Sequence, residues 1–166
     1  MRAIDVRDLL SHPGASKTVR LDESLEGLRT ELASVPDDAP LAGDLVLEGV
    51  MDGVYASGSV AGTMILRCAR CLKGFQRDFE VEMGELFARQ PGPEDDYGLD
   101  PDFALDPEPM VRDAVVLAMP FSPTCKPDCL GLCERCGGDR NLGGCHCYQP
   151  PADPRWAQLG RLVDEP

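Results

Sequence analysis

Apolar side chains recur at every second position in several short stretches of the chain between residues 45 and 87. This alternation is the period of strands that bury one face. Asp52-Gly53 separates two of these stretches, and Asp-Gly between strands favours a tight hairpin. We therefore predict three to four antiparallel strands, broken at Asp52-Gly53 and near Gly62, which suffice for a sheet or a small open barrel. The predicted strand segments are 45–47, 54–60, 63–66 and 79–87.

Other segments have the three-to-four-residue spacing of helices. The pattern predicts a short helix over 5–10, which His12-Pro13-Gly14 ends. It predicts a longer helix over 109–119, with Asp106 as its cap and Pro120 as its stop. A helix before Pro36 is predicted from Leu25, Leu28, Leu32 and Val35, and a final short helix is predicted over 153–163.

A proline-rich acidic stretch separates the strand-rich part from the rest of the chain. It reads PGPEDDYGLDPDFALDPEP and contains little to bury, so we predict a mobile acidic loop. The organisation is then an N-terminal part with helices and antiparallel sheet (1–90), the loop (91–108), and a C-terminal part with a helix, a cysteine-rich segment and a short helix (109–166). We expect these parts to form one cooperative α+β domain.

Composition narrows the class of protein. With 16 Lys and Arg against 29 Asp and Glu, the net charge is −13, which argues against a protein that holds nucleic acid by bulk charge. No apolar run approaches the length of a membrane span, and residues 1–10 do not resemble a signal peptide. Eight cysteines without an export signal indicate a reducing compartment, so we expect a cytoplasmic protein.

The cysteines occur as four close pairs, with the patterns CxxC, CxxxC, CxxC and CxC. Spacings of this kind let a tight turn direct two sulfurs at one metal ion, and four pairs are enough for two closed tetrahedral zinc sites. We therefore predict two zinc ions with four cysteines each. The ligands are Cys68, Cys71, Cys125, Cys129, Cys133, Cys136, Cys145 and Cys147.

Two groupings of these pairs are open. In the favoured one, the last four cysteines form a local zinc-knuckle-like site, and the first two pairs form a long-range link between sheet and C-terminal part. In the other, the four cysteines from 125 to 136 share one ion, and Cys68 and Cys71 join the CxC. A redox dithiol at Cys68 and Cys71 is a further interpretation, since redox and metal sites share this spacing. His146 lies inside the CxC, where we expect a spacer instead of a ligand.

Basic residues surround the first cysteine pair: Arg67, Arg70, Lys73 and Arg77. They are candidates for contact with RNA or another partner, with Phe75 and Phe79 as stacking groups. Compensation of thiolate charge by the cations, and core packing by the phenylalanines, is the simpler interpretation and the one we favour.

No catalytic constellation is recognisable. Closed four-cysteine sites leave no open position on the metal, and the sequence contains neither HExxH nor the H-x-E of zinc deaminases. A glycine-rich phosphate loop before a helix is also missing. We therefore expect a protein that is not an enzyme.

Several motifs together resemble the YceD family, the large ribosomal RNA subunit accumulation proteins. They are Cys-Ala-Arg-Cys-Leu-x-x-Phe at 68–75, Leu-Ala-Met-Pro at 117–120, the cysteine run 125–147 with Cys-Gly-x-Asp-x-Asn at 136–141, and Asp-Pro-Arg at 153–155. The dense cysteines resemble the form found in Gram-positive bacteria and actinobacteria. The resemblance implies a cytoplasmic role in biogenesis of the large ribosomal subunit, needed for accumulation or processing of its RNA, with zinc as the metal.

Two functions compete at this point: a ribosome-assembly factor that acts by binding, and a redox-switched zinc holdase chaperone in which oxidation ejects zinc. For the first, the acidic charge favours a basic large-subunit ribosomal protein or precursor particle as partner. The expected contacts are Glu94, Asp95, Asp96, Asp100 and Asp102, with secondary RNA contact through the four basic residues. No membrane contact is expected.

Overall fold

The computed structural model describes residues 1–93 and 96–143, together with Cys145, Cys147 and Arg155. The elements in chain order are β1 (Ile4–Asp5), α1 (Arg7–Ser11), β2 (Ser16–Glu23), β3 (Ala33–Ser34), β4 (Leu41–Val50), β5 (Gly53–Arg67), β6 (Gly74–Ala88), β7 (Ala104–Leu105), α2 (Glu108–Ala118) and a 3-10 turn (Arg140–Leu142). The predicted final helix lies outside the described residues. Within them, no helix has both the length and the apolar character needed to cross a lipid bilayer.

Strand β5 is the centre of a five-stranded antiparallel sheet. It pairs with β6 along its whole length, with β4 over its first half, and with β3 near its end, while β2 pairs with β4. In the part of the chain that the structure describes, β1 and β7 pair to form a second, two-stranded sheet. Over the described residues, the fold class is α+β, with an open antiparallel sheet, two α-helices and a C-terminal cysteine cluster, as the sequence predicts.

One face of the large sheet carries the hydrophobic core. Along β4, Leu41, Leu45 and Leu47 are fully buried while their even-numbered neighbours are exposed, as period-two alternation requires. Helix α2 covers this face with Met110, Val111 and Val115. The opposite face of the sheet carries mainly polar and acidic side chains.

The hairpin at Asp52-Gly53 and the strand from Phe79 to Phe87 are confirmed. The predicted break near Gly62 is wrong, because β5 continues through it without interruption. A Cβ at Gly62 would come within 2.9 Å of Leu41 Cδ2 and 3.2 Å of a Phe79 ring carbon. This glycine therefore makes room for neighbouring core side chains and does not end a strand.

The helix predicted from Leu25, Leu28, Leu32 and Val35 is also wrong. The chain there forms turns and the short strand β3, and Gly27 has a left-handed φ of 76°, which no helix accommodates. The Gly27 N–H donates to the Asp37 carboxylate at 2.9 Å. Leu25, Leu28 and Val35 are nonetheless buried and Leu32 is half-buried, so their spacing reflects core packing along an irregular segment.

Helix α2 is confirmed, and the Asp106 carboxylate accepts the N–H of Glu108 at 2.9 Å. The described part of the acidic loop before α2 buries more side chains than its composition indicates. Leu99 and Leu105 are buried, and Tyr97 lies 5.4 Å from the Phe87 ring. The loop is therefore held against the sheet at these points.

Candidate metal centres

The first CxxC forms the turn that joins β5 to β6. The N–H of Cys68 donates to Lys73 O at 2.9 Å, and the N–H of Leu72 donates to Cys68 O at 2.9 Å. Leu72 adopts a left-handed φ of 61° to close this turn. We call this arrangement a knuckle turn. It directs both cysteine sulfurs to the same side of the hairpin end.

The second CxxC repeats the knuckle turn with the same hydrogen bonds. The N–H of Cys133 donates to Gly138 O at 2.8 Å, and the N–H of Gly137 donates to Cys133 O at 2.9 Å. Gly137, with a φ of 69°, stands where the first turn has Leu72. Two segments that share little beyond Cys-x-Arg-Cys thus present their sulfurs in one geometry.

The cysteines of the first knuckle turn meet those of the CxxxC. Cys68 Sγ lies 3.8 Å from Cys129 Sγ, and Cys71 Sγ lies 3.7 Å from Cys125 Sγ. All four sulfurs lie within 4.8 Å of one another. A zinc–sulfur bond of about 2.3 Å places tetrahedral ligands about 3.8 Å apart, whereas a disulfide needs about 2.05 Å. The site therefore fits a tetrahedral metal ion and not a disulfide.

Backbone contacts fasten the CxxxC segment to the first knuckle turn. The N–H of Ala69 donates to Pro123 O at 2.8 Å, and the N–H of Leu132 donates to Arg70 O at 3.0 Å. The Arg70 guanidinium donates to Cys129 O at 3.0 Å. The first site is therefore built from two segments that are far apart in sequence and locked together on both sides of the sulfurs.

The second site gathers Cys133, Cys136, Cys145 and Cys147, whose sulfurs also lie within 4.8 Å of one another. Its cysteines are half-buried or, for Cys136, exposed. In the first site, by contrast, Cys68, Cys71 and Cys129 are buried and Cys125 alone is exposed. Both groups are therefore positioned to bind a metal ion, and the first is the more buried of the two.

Backbone N–H groups shape the charge of the first sulfur in each knuckle turn. Burial opposes ionisation of Cys68, but the N–H groups of Cys125, Cys71 and Arg70 lower its pKa to about 6. The N–H groups of Cys136 and Arg135 likewise lower the pKa of Cys133 to about 6. These amides stabilise a thiolate, which is the form that binds metal.

Two other thiols, one in each site, have pKa values above the ordinary range. Desolvation and the neighbouring thiols raise the pKa of Cys125 to about 12. The contact with Cys136, followed by desolvation, raises the pKa of Cys147 to about 12. A divalent cation relieves this repulsion, since it neutralises adjacent thiolates.

Asn141 connects the two sites. It lies between the ligand pairs of the second site, yet its amide Nδ2 donates to Cys129 Sγ of the first site at 3.5 Å. The same amide group donates to Asp139 Oδ1 at 2.7 Å, and its oxygen accepts the N–H of Leu130 at 3.0 Å. Such contacts around metal ligands fix their orientation.

An ion pair provides a second connection. Lys73 Nζ, beside the first knuckle turn, lies 2.8 Å from Asp139 Oδ2. Lys73 and then Asn141 lower the pKa of Asp139 to about 2. The segment 139–141 therefore fastens the second site to the first. Sequence reasoning assigned these residues no role, although the Cys-Gly-x-Asp-x-Asn pattern contains them.

The structure groups the cysteines as in the favoured pairing, with one long-range and one local site. His146 lies outside the described residues. Phe75 and Phe79 are half-buried against the core, as the packing interpretation expects.

The basic residues near the first pair divide into two kinds. Arg70 donates to backbone carbonyls and Lys73 pairs with Asp139, so both hold the metal centres together. Arg67 and Arg77 are exposed, and the Arg77 guanidinium lies 5.7 Å from the centre of the Phe75 ring. Arg67 and Arg77 are thus the better placed for an external partner.

The acidic residues expected to contact a basic partner also fall into two groups. Asp100 accepts the N–H groups of Asp102 and Ala104 at 3.0 and 2.7 Å, which gives it a role in the turn. Asp96 and Asp102 are exposed. Glu94 and Asp95 lie outside the described residues.

Comparison with known proteins covers the same region as the cysteine sites. The family described as "Large ribosomal RNA subunit accumulation protein YceD" matches residues 56–163, which include the hairpin β5–β6 and all eight cysteines. The chain belongs to the YceD family. No solved structure matches this chain.

Mycobacterial relatives match this YceD chain almost from end to end. Uncharacterised proteins of Mycobacterium tuberculosis and Mycobacterium bovis are 36% identical over 169 residues, which cover 96% of this chain and 80% of theirs. An uncharacterised protein of Mycobacterium leprae is 33% identical and is covered over 76% of its length.

Proposed function

We propose that this protein is a cytoplasmic, non-enzymatic zinc-binding factor in biogenesis of the large ribosomal subunit, where it supports accumulation or processing of the ribosomal RNA. The observation that carries this proposal is the YceD match over residues 56–163. The family description names the RNA whose accumulation is affected. It does not name a reaction, and a binding role is the simplest one that a factor without a catalytic constellation can perform.

Zinc is the metal that these donor sets favour. Four thiolates in tetrahedral arrangement are typical of structural zinc, and a closed sphere leaves no position for a substrate. The first ion would be held by Cys68, Cys71, Cys125 and Cys129, and the second by Cys133, Cys136, Cys145 and Cys147. Their chemistry is to cross-link the chain, and elemental analysis of freshly purified, reduced protein should find two zinc ions per chain.

The function is tested in cells that lack the protein. We expect reduced mature large-subunit RNA and accumulation of precursor particles on sucrose gradients, and restoration of both by the wild-type gene. Tagged protein should co-sediment with large-subunit precursors and not with mature ribosomes. Normal large-subunit RNA in the deletion strain, or co-sedimentation with the small subunit only, contradicts the proposal.

We further propose that the direct partner is a basic large-subunit ribosomal protein or the precursor particle that contains it, with RNA contact secondary. A net charge of −13 favours such a partner over phosphate. Neutralising Glu94, Asp95, Asp96 and Asp102 should weaken association with precursors. Asp100 is kept, because it holds the turn.

The comparison variant neutralises Arg67 and Arg77, which are exposed, and keeps Arg70 and Lys73, which hold the metal centres. Loss of association only in this variant, with a steep salt dependence toward naked RNA, would indicate RNA as the main partner.

A redox-switched holdase is the alternative. The second site favours it, because none of its four cysteines is buried and accessible cysteines oxidise first. Mild peroxide should then release zinc from the second site and produce suppression of aggregation. Zinc release without suppression of aggregation excludes this alternative.

A further inference from the structure

Strand β6 offers a long free edge. It spans 15 residues, and within the described part of the chain it pairs with β5 on one side and, on the other, only through the bridge between Ala88 and Gly98. Unpaired edge strands present backbone N–H and C=O groups that can pair with another chain.

The hydrogen bonds at both ends of β6 show which of its residues present unpaired backbone groups at the free edge. The N–H of Cys68 donates to Lys73 O, and the N–H of Arg89 donates to Asp52 O. The register between these ends is unbroken, so the odd-numbered residues bond to β5 and the even-numbered residues point away. Ala88 agrees, since its N–H donates outward to Tyr97 O and its C=O accepts the N–H of Leu99.

The same even-numbered residues carry an acidic row. Asp78, Glu80 and Glu82 are exposed on the polar face of the sheet. Hydroxyls of β5 orient two of them, because Thr63 Oγ1 donates to Asp78 at 2.7 Å and Ser59 Oγ donates to Glu80 at 2.9 Å. A strand placed beside β6 would meet these carboxylates in cross-strand positions, where opposite charges attract.

A groove of about 450 Å³ follows the other face of this edge, between β6 and α2. Val81, Met83 and Leu117 give it apolar walls, and Glu85 and Asp113 add acidic groups. Leu117 is 84% exposed. An added strand would therefore place one set of alternate side chains against the acidic row and the other set in this groove.

We propose that the free edge of β6 binds an extended segment of a protein partner by strand addition, and that this segment alternates Lys or Arg with apolar residues. Backbone hydrogen bonds supply affinity in such complexes, and alternate side chains supply specificity. The proposal rests on the proposed function, for which it specifies how a basic ribosomal protein would be recognised.

Charge distinguishes this edge from the opposite one. The outward-facing residues of β2 are Ser16, Thr18, Arg20 and Asp22, because the N–H of Gly49 donates to Ala15 O and fixes the odd-numbered residues of β2 toward β4. With one acid and one base beside two neutral residues, the β2 edge does not favour a basic strand. It therefore serves as the internal control.

The first experiment uses a synthetic peptide that alternates lysine with valine. Amide hydrogen exchange of the zinc-loaded protein should show new protection at Asp78, Glu80 and Glu82 when the peptide is added. The intervening amides of Phe79 and Val81 bond to β5 and are protected before the addition. A peptide methylated on alternate backbone nitrogens should fail to bind if the methyl groups face β6. Uniform protection, or equal binding of both methylated registers, overturns strand addition.

Two matched variants test the charges. Neutralising the acidic row (Asp78→Asn, Glu80→Gln, Glu82→Gln) should weaken peptide binding about tenfold at low salt. The same charge change on β2 and β4 (Asp22→Asn, Asp44→Asn, Glu48→Gln) should change it less than twofold. Equal losses indicate attraction by net charge alone and overturn the proposed site.

A second pair of variants tests the backbone hydrogen bonds of the edge. Glu80→Pro removes an outward N–H without breaking the ladder to β5, and edge strands tolerate this; Thr18→Pro does the same on β2. Only Glu80→Pro should abolish binding, with both variants verified as folded by cooperative unfolding.

Binding of an RNA oligonucleotide to this edge in place of the peptide overturns the choice of partner. If peptide binding meets these expectations and precursor association fails, the proposed function falls while this binding site stands.

Discussion

Asn141 is a single side chain that links the two candidate metal centres, since it lies within the second and donates to a sulfur of the first. Asn141→Ala should lower zinc affinity of the first site about tenfold, the lower end of what such partners contribute. Competition with a chromophoric chelator measures this. Asn141→Asp keeps the acceptor for Leu130 but loses the N–H···S contact, and it should be no better than alanine. Wild-type affinity in the aspartate variant would contradict this role.

The left-handed residue of each knuckle turn gives a second prediction. Gly137→Val should weaken metal binding at the second site, because a β-branched residue with φ of 69° costs at least about 1–2 kcal/mol. Leu72→Gly should leave the first site intact, with stability changed by less than about 1 kcal/mol, since relief of strain offsets greater freedom of the unfolded chain. Chelator competition and urea unfolding report the two effects. A weakened first site in Leu72→Gly contradicts the common geometry.

At the scale of single residues, the sequence predicts well which cysteines lie together, because few residue types suit a metal site and short turns set their spacing. It does not predict that Arg70 and Lys73 form a hydrogen bond and an ion pair within the protein itself. Their partners, the Cys129 carbonyl and Asp139, are 59 and 66 positions away along the chain. Only the fold brings such groups together.

Among the elements, alternation predicts the hairpins at β4, β5 and β6, since each strand buries one face. Strand β2 is missed, although Val19 and Leu21 alternate with Thr18 and Arg20. Its flanks offer no Asp-Gly turn to mark it. The helix wrongly predicted near Leu28 has a different cause. Apolar spacing alone does not distinguish a helix from turns that pack into a core.

Tyr97 joins the loop before β7 to helix α2, and it makes the contact sensitive to alkali. Its hydroxyl donates to Asp113 Oδ2 at 2.7 Å, and desolvation together with this bond raises its pKa to about 12. The unfolded phenol ionises near pH 10, so the wild type should lose stability as pH rises from about 10 to 12. Tyr97→Phe should lose less over the same interval in urea unfolding. Parallel pH profiles would show that the contact does not form.

Over the whole molecule, we propose that the chain unfolds as one cooperative unit because the first metal centre joins the end of the sheet to the segment after α2. Cys71→Ser should lower stability by about 3–5 kcal/mol, and Cys136→Ser by less than about 1 kcal/mol. Three of the four cysteines of the first site are buried, whereas none of the second site is, and this gives the reason for the difference. Circular dichroism during urea unfolding measures it, with elemental analysis expected to find one zinc ion in each variant. Equal losses would contradict the central role of the first site.

The separation of the first ligand set along the chain has a consequence for the order of events during biosynthesis. Cys71 and Cys125 are 54 positions apart, and Cys68 and Cys129 are 61 apart. A growing polypeptide can complete the hairpins of its sheet while Cys68 and Cys71 still await the other two ligands. We therefore expect a metal ion at the first site to enter late in maturation, and a cell short of that metal to accumulate newly made chains whose sheet is finished and whose halves are not yet joined.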